Sequence, residues 1–247
     1  MDSYNIFLEY YDKIVRGINS PLEDEVEFLN EQIEKYKGKD KSNITILETA
    51  CGTGTVAKEF KKLGYSINGL DINQKMIEIA KTNLDEKDLV LGDMTNFDLG
   101  KTFDVLFCNY NSICHLLTWQ EWQKFFSMSY KHLKTGGILI FDINTLFEFE
   151  NITRDFAQFY NFGEDTVCLE MFKKSGYYEW LIKIFKKTPD GRYDLIEENV
   201  KENSFPIEMI KKELKNKGFK VLEMIDFHYG NVNQESERVY FICEKRD

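Results

Sequence analysis

From Asn43 to Ile143, short apolar runs rich in Ile, Val and Phe alternate with segments whose apolar residues recur at helical spacing. The runs are NITILE (43–48), YSINGLD (65–71), DLVLGD (88–93), FDVLFCN (103–109) and GGILIFDI (136–143). Such continuous hydrophobicity suits strands covered on both faces, so the alternation predicts βαβ units around a parallel sheet. Between the runs, Val56, Phe60 and Leu63 share one helical face, and Met76, Ile77, Ala80 and Leu84 share another. A longer helix is predicted to begin at Thr118, where Thr-x-x-Glu to Glu121 makes a capping box ahead of Trp122, Phe125, Phe126, Ser129 and Leu133. Upstream, Leu22, Val26, Leu29, Ile33 and Tyr36 mark an amphipathic helix.

After residue 150 the pattern changes. Three strand-like stretches, near 166–174, 177–186 and 193–202, are joined by Ser175-Gly176 and Pro189-Asp190-Gly191, both good hairpin turns. A helix then runs from Pro206 to Lys217 and closes at Gly218, followed by strand-like stretches 219–227 and 237–244. The expected architecture is α/β: a Rossmann-like, doubly wound seven-stranded sheet with a small antiparallel β insertion after the fifth strand. The expected division is an N-terminal helical segment (1–42), a main domain (43–149 and 204–247) and the insertion (150–203), which forms a lid or a dimer surface.

Composition narrows the function classes. Acidic residues outnumber basic ones 42 to 32, for a net charge of −10, and no long Lys/Arg run offsets this, which disfavours a nucleic-acid partner. No apolar run reaches the roughly 18 residues needed to span a bilayer, and the start, MDSYNIFLEYYDK, has no apolar h-region, so no membrane partner is expected. The five cysteines are scattered without a CxxC pair, which fits reduced thiols in a cytoplasmic protein and supplies no metal-binding pattern.

The chemistry gathers where the first strand ends, in Glu48-Thr49-Ala50-Cys51-Gly52-Thr53-Gly54. Glycines at a strand-to-helix turn let a ligand approach the backbone, and ligands of open α/β sheets bind at the strand C-termini. Gly52-x-Gly54-x-x-Ala57 followed by Asp71 also satisfies a dinucleotide fingerprint. Glu48 tips the choice: an acid entering the loop disfavours a pyrophosphate and suits a ligand bearing an ammonium and a sulfonium. Cys51 reads as a small loop residue.

ILETACGTG, the acid-ended GLDIN, LGDM, and FDVLFCNYNS followed by HLKTGGILIFDIN resemble the successive motifs of class I S-adenosylmethionine-dependent methyltransferases, in order and at family spacing over residues 43–145. Tyr10-Tyr11-Asp12 with Arg16-Gly17 resembles the small-molecule enzymes that N-methylate amino sugars and glycine, and NSICHL (111–116) is similar to the glycine and sarcosine N-methyltransferases. The resemblance implies S-adenosyl-L-methionine as cofactor, with Ala50, Gly52 and Gly54 passing its methionine portion and Glu48 near its ammonium. It implies that Asp71 accepts from the ribose hydroxyls, Asp93 from the adenine amine, that Ile72 and Met94 sandwich the ring, and that Asn109 borders the methyl group.

Methyl transfer from a sulfonium needs alignment and exclusion of water, and an amine acceptor must first be neutral. His115, beyond the fourth strand, is the candidate base, with helix capping or simple packing as its other reading. Tyr10, Tyr11 and Tyr110 could face the sulfonium or belong to the core, and Asp142 and Asn144 end a strand beside them. In the insertion, Phe156, Phe159, Tyr160, Phe162, Tyr178 and Trp180 face a substrate or glue the sheet down. The expectation is a methyltransferase acting on a small molecule at an amine nitrogen, as a monomer or homodimer. An RNA or protein methyltransferase and a non-catalytic nucleoside-binding protein are the alternatives.

Overall fold

The computed structural model describes residues 7–19, 21–155, 157–228 and 230–247. The helices are α1 (Leu8–Ile14), α2 (Leu22–Lys37), α3 (Thr55–Lys62), α4 (Gln74–Ala80), α5 (Trp119–His132), α6 (Leu146–Asp155) and α7 (Ile207–Asn216). The strands are β1 (Thr45–Thr49), β2 (Ser66–Asp71), β3 (Leu89–Leu91), β4 (Phe103–Cys108), β5 (Leu133–Asn144), β6 (Ala157–Phe162), β7 (Asp165–Lys173), β8 (Tyr178–Lys187), β9 (Tyr193–Glu202), β10 (Phe219–Asp226) and β11 (Arg238–Lys245).

Among the described residues, a seven-stranded sheet runs β10-β11-β5-β4-β1-β2-β3, and a second sheet of four antiparallel strands runs β6-β7-β8-β9. β1 to β5 are mutually parallel where they pair, and β11 is reversed between β5 and β10. The parallel strands are covered on both faces, which explains their continuous apolar runs. On one face lie Phe28, Leu29 and Ile33 of α2 with Val56, Ala57 and Phe60 of α3. On the other, Trp122, Phe125 and Phe126 of α5 pack against Phe141 and Phe241. Burial of such a ring stabilises by about 1.5–3 kcal/mol. The expected Thr118–Glu121 capping box is present and starts α5.

The structure departs from the sequence reading in four places. The small sheet has a fourth strand, β6, preceded by helix α6. The helix α1 precedes α2. β3 is shorter than expected, and β5 begins earlier, at Leu133. α2 packs along its expected apolar stripe, with Leu22, Val26, Leu29, Ile33 and Tyr36 all against the core, and it buries Glu25 as well, whose carboxylate accepts from Tyr240 Oη at 2.7 Å and from Arg238 Nη2 at 3.1 Å.

α1 has a partner far away in sequence. Phe7, Tyr10 and Ile14 pack with Val167, Leu169, Ile182, Ile184 and Val200, on one face of the small sheet. The opposite face exposes Phe159, Phe172, Phe185, Tyr193 and Leu195. Phe156 lies outside the described residues. No helix among the described residues is long and apolar enough to cross a membrane.

Candidate active site

The register that pairs Glu48 with Gly69, and Asp71 with Leu91, brings both acids to the C-terminal edge of the parallel strands. The connection after β1 winds tightly, with Ala50 at φ 54°, Gly52 at φ 56° and Gly54 at φ 72°. Asp71 fixes that loop: one carboxylate oxygen accepts from Gly52 N–H at 2.8 Å, the other from Asn73 N–H at 2.8 Å. Each oxygen keeps a lone pair for a further donor. Burial raises the Asp71 pKa against the lowering by these two donors.

The two loop glycines have different neighbours. A Cβ on Gly52 would lie 3.4 Å from Arg16 Nη2, whereas one on Gly54 would lie 3.1 Å from Ala80 Cβ. Gly52 therefore borders the crevice. Gly54 is the N-cap residue of α3 and packs against α4, so a side chain added there would collide with Ala80.

Arg16, which sequence reasoning quoted in a motif but gave no role, is buried beside this loop. Its Nη1 donates to Asp12 Oδ1 at 3.0 Å and to Thr53 Oγ1 at 2.9 Å, and the guanidinium lies 5.6 Å from the Tyr11 ring and 5.2 Å from the Tyr110 ring. The signal that could have found it is the i, i+4 Asp12–Arg16 pair directly after two tyrosines. Glu48 is buried, and burial pushes its carboxyl up to about 8 despite the Arg16 guanidinium.

Three groups here are buried without hydrogen-bond partners among the described residues: Glu48 Oε2, Arg16 Nε and both amide atoms of Asn109, a residue just past β4 that is 4% exposed. Orphaned buried polar groups are costly, and a ligand carrying both an ammonium and a carboxylate would satisfy an acid and a guanidinium placed together. Farther along the edge, Ile72 is 58% exposed. Met94 is not its matching open face, because its side chain lies in the core under β2 and β4. Asp93 accepts from Thr95 N–H at 2.7 Å through one oxygen, the turn-forming arrangement.

A cavity of about 390 Å³ adjoins the crevice, walled by the strand ends of the large sheet, the inner face of the small sheet and α1. Tyr11, Tyr110, Asn111, His115 and Asn144 line it together with Glu148, Glu202, Glu237 and Arg238. Tyr110 and Asn111 both hold left-handed backbone, at φ 54° and 57°. The Asn111 N–H donates to Asp142 Oδ2 at 2.9 Å, and that same oxygen accepts from Arg238 Nε at 2.6 Å. A buried chain from Glu25 through Arg238 to Asp142 thus holds this strained corner.

The tyrosine expectations divide. Tyr11 lines the cavity, but Tyr10 does not: its hydroxyl donates to Asp165 Oδ2 at 2.8 Å and its ring packs on Phe162 at 5.4 Å. Tyr10 anchors α1 to the small sheet, and its candidacy as a catalytic group is withdrawn on that ground. Of the insertion's aromatic residues, Trp180 lines the cavity and donates to Glu202 Oε2 at 3.0 Å, while Phe159 points to solvent. His115 places Nδ1 3.4 Å from the Lys201 carbonyl and 3.9 Å from Glu202 Oε1. The acids Glu148, Glu202 and Glu237 were not foreseen, since isolated acids in sequence read as solvated surface.

Residues 46–137 match the model of the family described as a methyltransferase domain. The chain carries a class I S-adenosylmethionine-dependent methyltransferase domain. Its cofactor is S-adenosyl-L-methionine. The methyltransferase is 27% identical over 252 residues to a provisionally named methyltransferase of Geobacillus sp. (strain WCH70), covering 98% of this chain and 100% of that one. It is 31% identical over 96 residues, 39% of this chain and 40% of the other, to the dTDP-3-amino-3,4,6-trideoxy-alpha-D-glucopyranose N,N-dimethyltransferase of Streptomyces venezuelae. The crystal structure of an S-adenosylmethionine-dependent methyltransferase from Clostridium acetobutylicum ATCC 824 shares its fold, with a TM-score of 0.83, 23% identity and 99% of each chain covered.

Proposed function

We propose that this methyltransferase acts on an amine nitrogen of a small molecule held in the cavity between the strand ends and the small sheet. The observation that carries the reading is the enclosure: about 390 Å³, walled on the far side by the small sheet and covered by α1, admits a small acceptor. The nitrogen preference draws support from the N,N-dimethyltransferase relative and from the carboxylates in the lining, which favour a cation.

In this reading Glu48 accepts from the cofactor's ammonium and Arg16 pairs with its carboxylate. The backbone of Ala50 and Gly52 passes close by, and Asp71 accepts from the ribose hydroxyls. Asp93 uses its remaining carboxylate oxygen toward the adenine amine, and Ile72 covers one face of the ring. Asn109 stands between the two ligands. When bound, S-adenosylmethionine supplies a methyl group on a sulfonium, with a neutral thioether as the leaving group.

The protein's own work is then positioning, drying and proton removal. Tyr11 and Tyr110 close around Arg16 and exclude water between crevice and cavity. An ammonium acceptor must lose a proton before it can use its lone pair. A proton on His115 Nδ1, facing the Lys201 carbonyl, leaves Nε2 as the lone-pair nitrogen, with Glu202 close by to stabilise the imidazolium. Residues 150–203 act as the lid. The unpaired, buried cysteines fit a reducing, cytoplasmic setting.

Transfer of radiolabelled methyl from S-adenosylmethionine to a panel of amines, hydroxy compounds, RNA and protein extract tests the proposal. Label on amines supports it. Label on RNA or protein alone, or on oxygen acceptors alone, refutes it.

A further inference from the structure

Three carboxylates from separate parts of the chain converge on the cavity: Glu148 on α6, Glu202 at the end of β9 and Glu237 just before β11. The lining holds one arginine and no lysine among the described residues. That arginine, Arg238, is already matched: Nε donates to Asp142 Oδ2 at 2.6 Å and Nη2 to Glu25 Oε2 at 3.1 Å, and both acids are buried. Its charge is therefore balanced inside the protein, and the cavity itself is left with an excess of acid.

The acids fall into two groups. Glu202 faces His115 and Trp180, on the side where a proton would be taken up. Glu148 and Glu237 sit near enough to each other that, after burial, Glu237 is the next cause raising the Glu148 carboxyl, to about 7. Thr145 ties their backbones together, its N–H donating to the Glu237 carbonyl at 2.9 Å and its Oγ1 accepting from the Glu148 N–H at 3.2 Å, so the two side chains share one wall where a cation can join them. Independently, Asn111 Oδ1 in the lining, and both amide atoms of Asn109 two residues earlier, are buried without partners among the described residues. A carbonyl oxygen left unpaired in a cavity is an acceptor waiting for an N–H or O–H donor.

Resting on the amine reading above, we infer that the acceptor carries at least two cationic nitrogens and no phosphate: one ammonium held by Glu148 and Glu237, and a second nitrogen, the methylated one, beside His115 and Glu202. A nucleotide-activated amino sugar, the kind of substrate named for the Streptomyces venezuelae relative, would instead bring a diphosphate into this acidic lining, where the described residues offer it no unpaired cationic side chain.

The test uses the full chain loaded with S-adenosylhomocysteine and measures calorimetric binding of spermidine, n-butylamine and dTDP near pH 7.5 at low salt. The parent should bind spermidine at least about tenfold more tightly than n-butylamine, and dTDP should not displace it. The Glu148→Gln/Glu237→Gln double variant should lose about tenfold or more for spermidine while still binding S-adenosylhomocysteine. Glu208→Gln, an exposed acid on α7 outside the cavity, should bind like the parent. Proton release on spermidine binding near neutral pH should accompany the parent and vanish in Glu148→Gln.

Displacement of spermidine by dTDP, or equal spermidine affinity in parent and double variant, overturns the inference. Methyl transfer to n-butylamine with a kcat/KM equal to that for spermidine in the parent would also overturn it, while leaving amine methylation standing. Spermidine binding as expected with no amine ever methylated would uphold the recognition and defeat the reading beneath it.

Discussion

Glu48→Gln isolates the buried acid at the centre of the cofactor assignment. Burial raises this carboxyl from 4.5 to about 8, so ionising it in the ligand-free fold costs about 5 kcal/mol more than in water. An ammonium partner requires the ionised form. At pH 7 the parent therefore gives up about 1 kcal/mol of binding energy to release the proton, and about 3 kcal/mol at pH 5.5. Between those values, S-adenosylmethionine affinity should rise about tenfold per pH unit, with one proton released on binding. In Glu48→Gln that slope should vanish. Near pH 8 the variant should bind about 10- to 100-fold more weakly, for loss of a charged hydrogen bond worth about 1.5–3 kcal/mol, and the two curves should converge toward pH 5.5. Folding stability gives a second check. The folded-state pKa lies above the unfolded one, so the contribution of Glu48 is complete below about pH 4.5 and is lost as pH rises through about 8. The Tm of the ligand-free parent should fall relative to that of the variant over this window. Calorimetric titrations across pH with thermal unfolding measure both. A flat affinity profile in the parent from pH 5.5 to 7, or tighter binding by the variant at pH 8, would refute the placement of an ammonium against Glu48.

Arg16→Gln should weaken S-adenosylmethionine binding about tenfold or more and abolish the parent's preference for it over decarboxylated S-adenosylmethionine; a preference that survives removes Arg16 from the carboxylate. Gly54→Ala should lower stability by about 1–3 kcal/mol in denaturant titration, because the residue holds φ 72° with Ala80 Cβ 3.1 Å from the added carbon. Tyr10→Phe should cost about 1 kcal/mol of stability through the lost bond to Asp165 and leave kcat within about threefold; a larger catalytic loss would return Tyr10 to the site. His115→Ala should lower kcat/KM for an amine about 10²- to 10⁴-fold near pH 7, with much of the loss recovered as pH approaches the amine's own pKa. A loss under about tenfold at every pH would assign the rate to alignment alone.

What was legible in the sequence is what local physics writes there. β1, β2, β4 and β5 are buried on both faces, so their residues are apolar in unbroken runs and need no knowledge of their neighbours. The left-handed turns of Gly52 and Gly54 show as glycines for the same reason. β6 was missed because its burial alternates between exposed and half-buried and its letters, AQFYNF, are half polar. α1 was missed because a helix of seven residues carries little pattern, and the surface it buries against is formed by β7, β8 and β9, more than 150 residues later.

The site divides along the same line. Glu48 and Asp71 were legible as candidates because each stands at the C-terminal end of a strand beside the glycine loop, a position readable from the strand pattern and the loop residues. Glu148, Glu202 and Glu237, on α6, β9 and the entry to β11, come together by convergence instead and meet only when the second sheet folds over the strand ends, while Arg16, on the extension of α1, reaches the loop after β1 through Thr53. The same topology explains why Tyr10 and Tyr11, adjacent in sequence, part company. Neighbours on a helix point about 100° apart, so when Tyr10 turns its hydroxyl to Asp165 on the small sheet, Tyr11 is directed into the cavity beside Arg16. One anchoring hydrogen bond on α1 thereby orients the aromatic wall shared by crevice and cavity, and under the proposed reading the segment that carries Arg16 beside the crevice is the same one that covers the cavity.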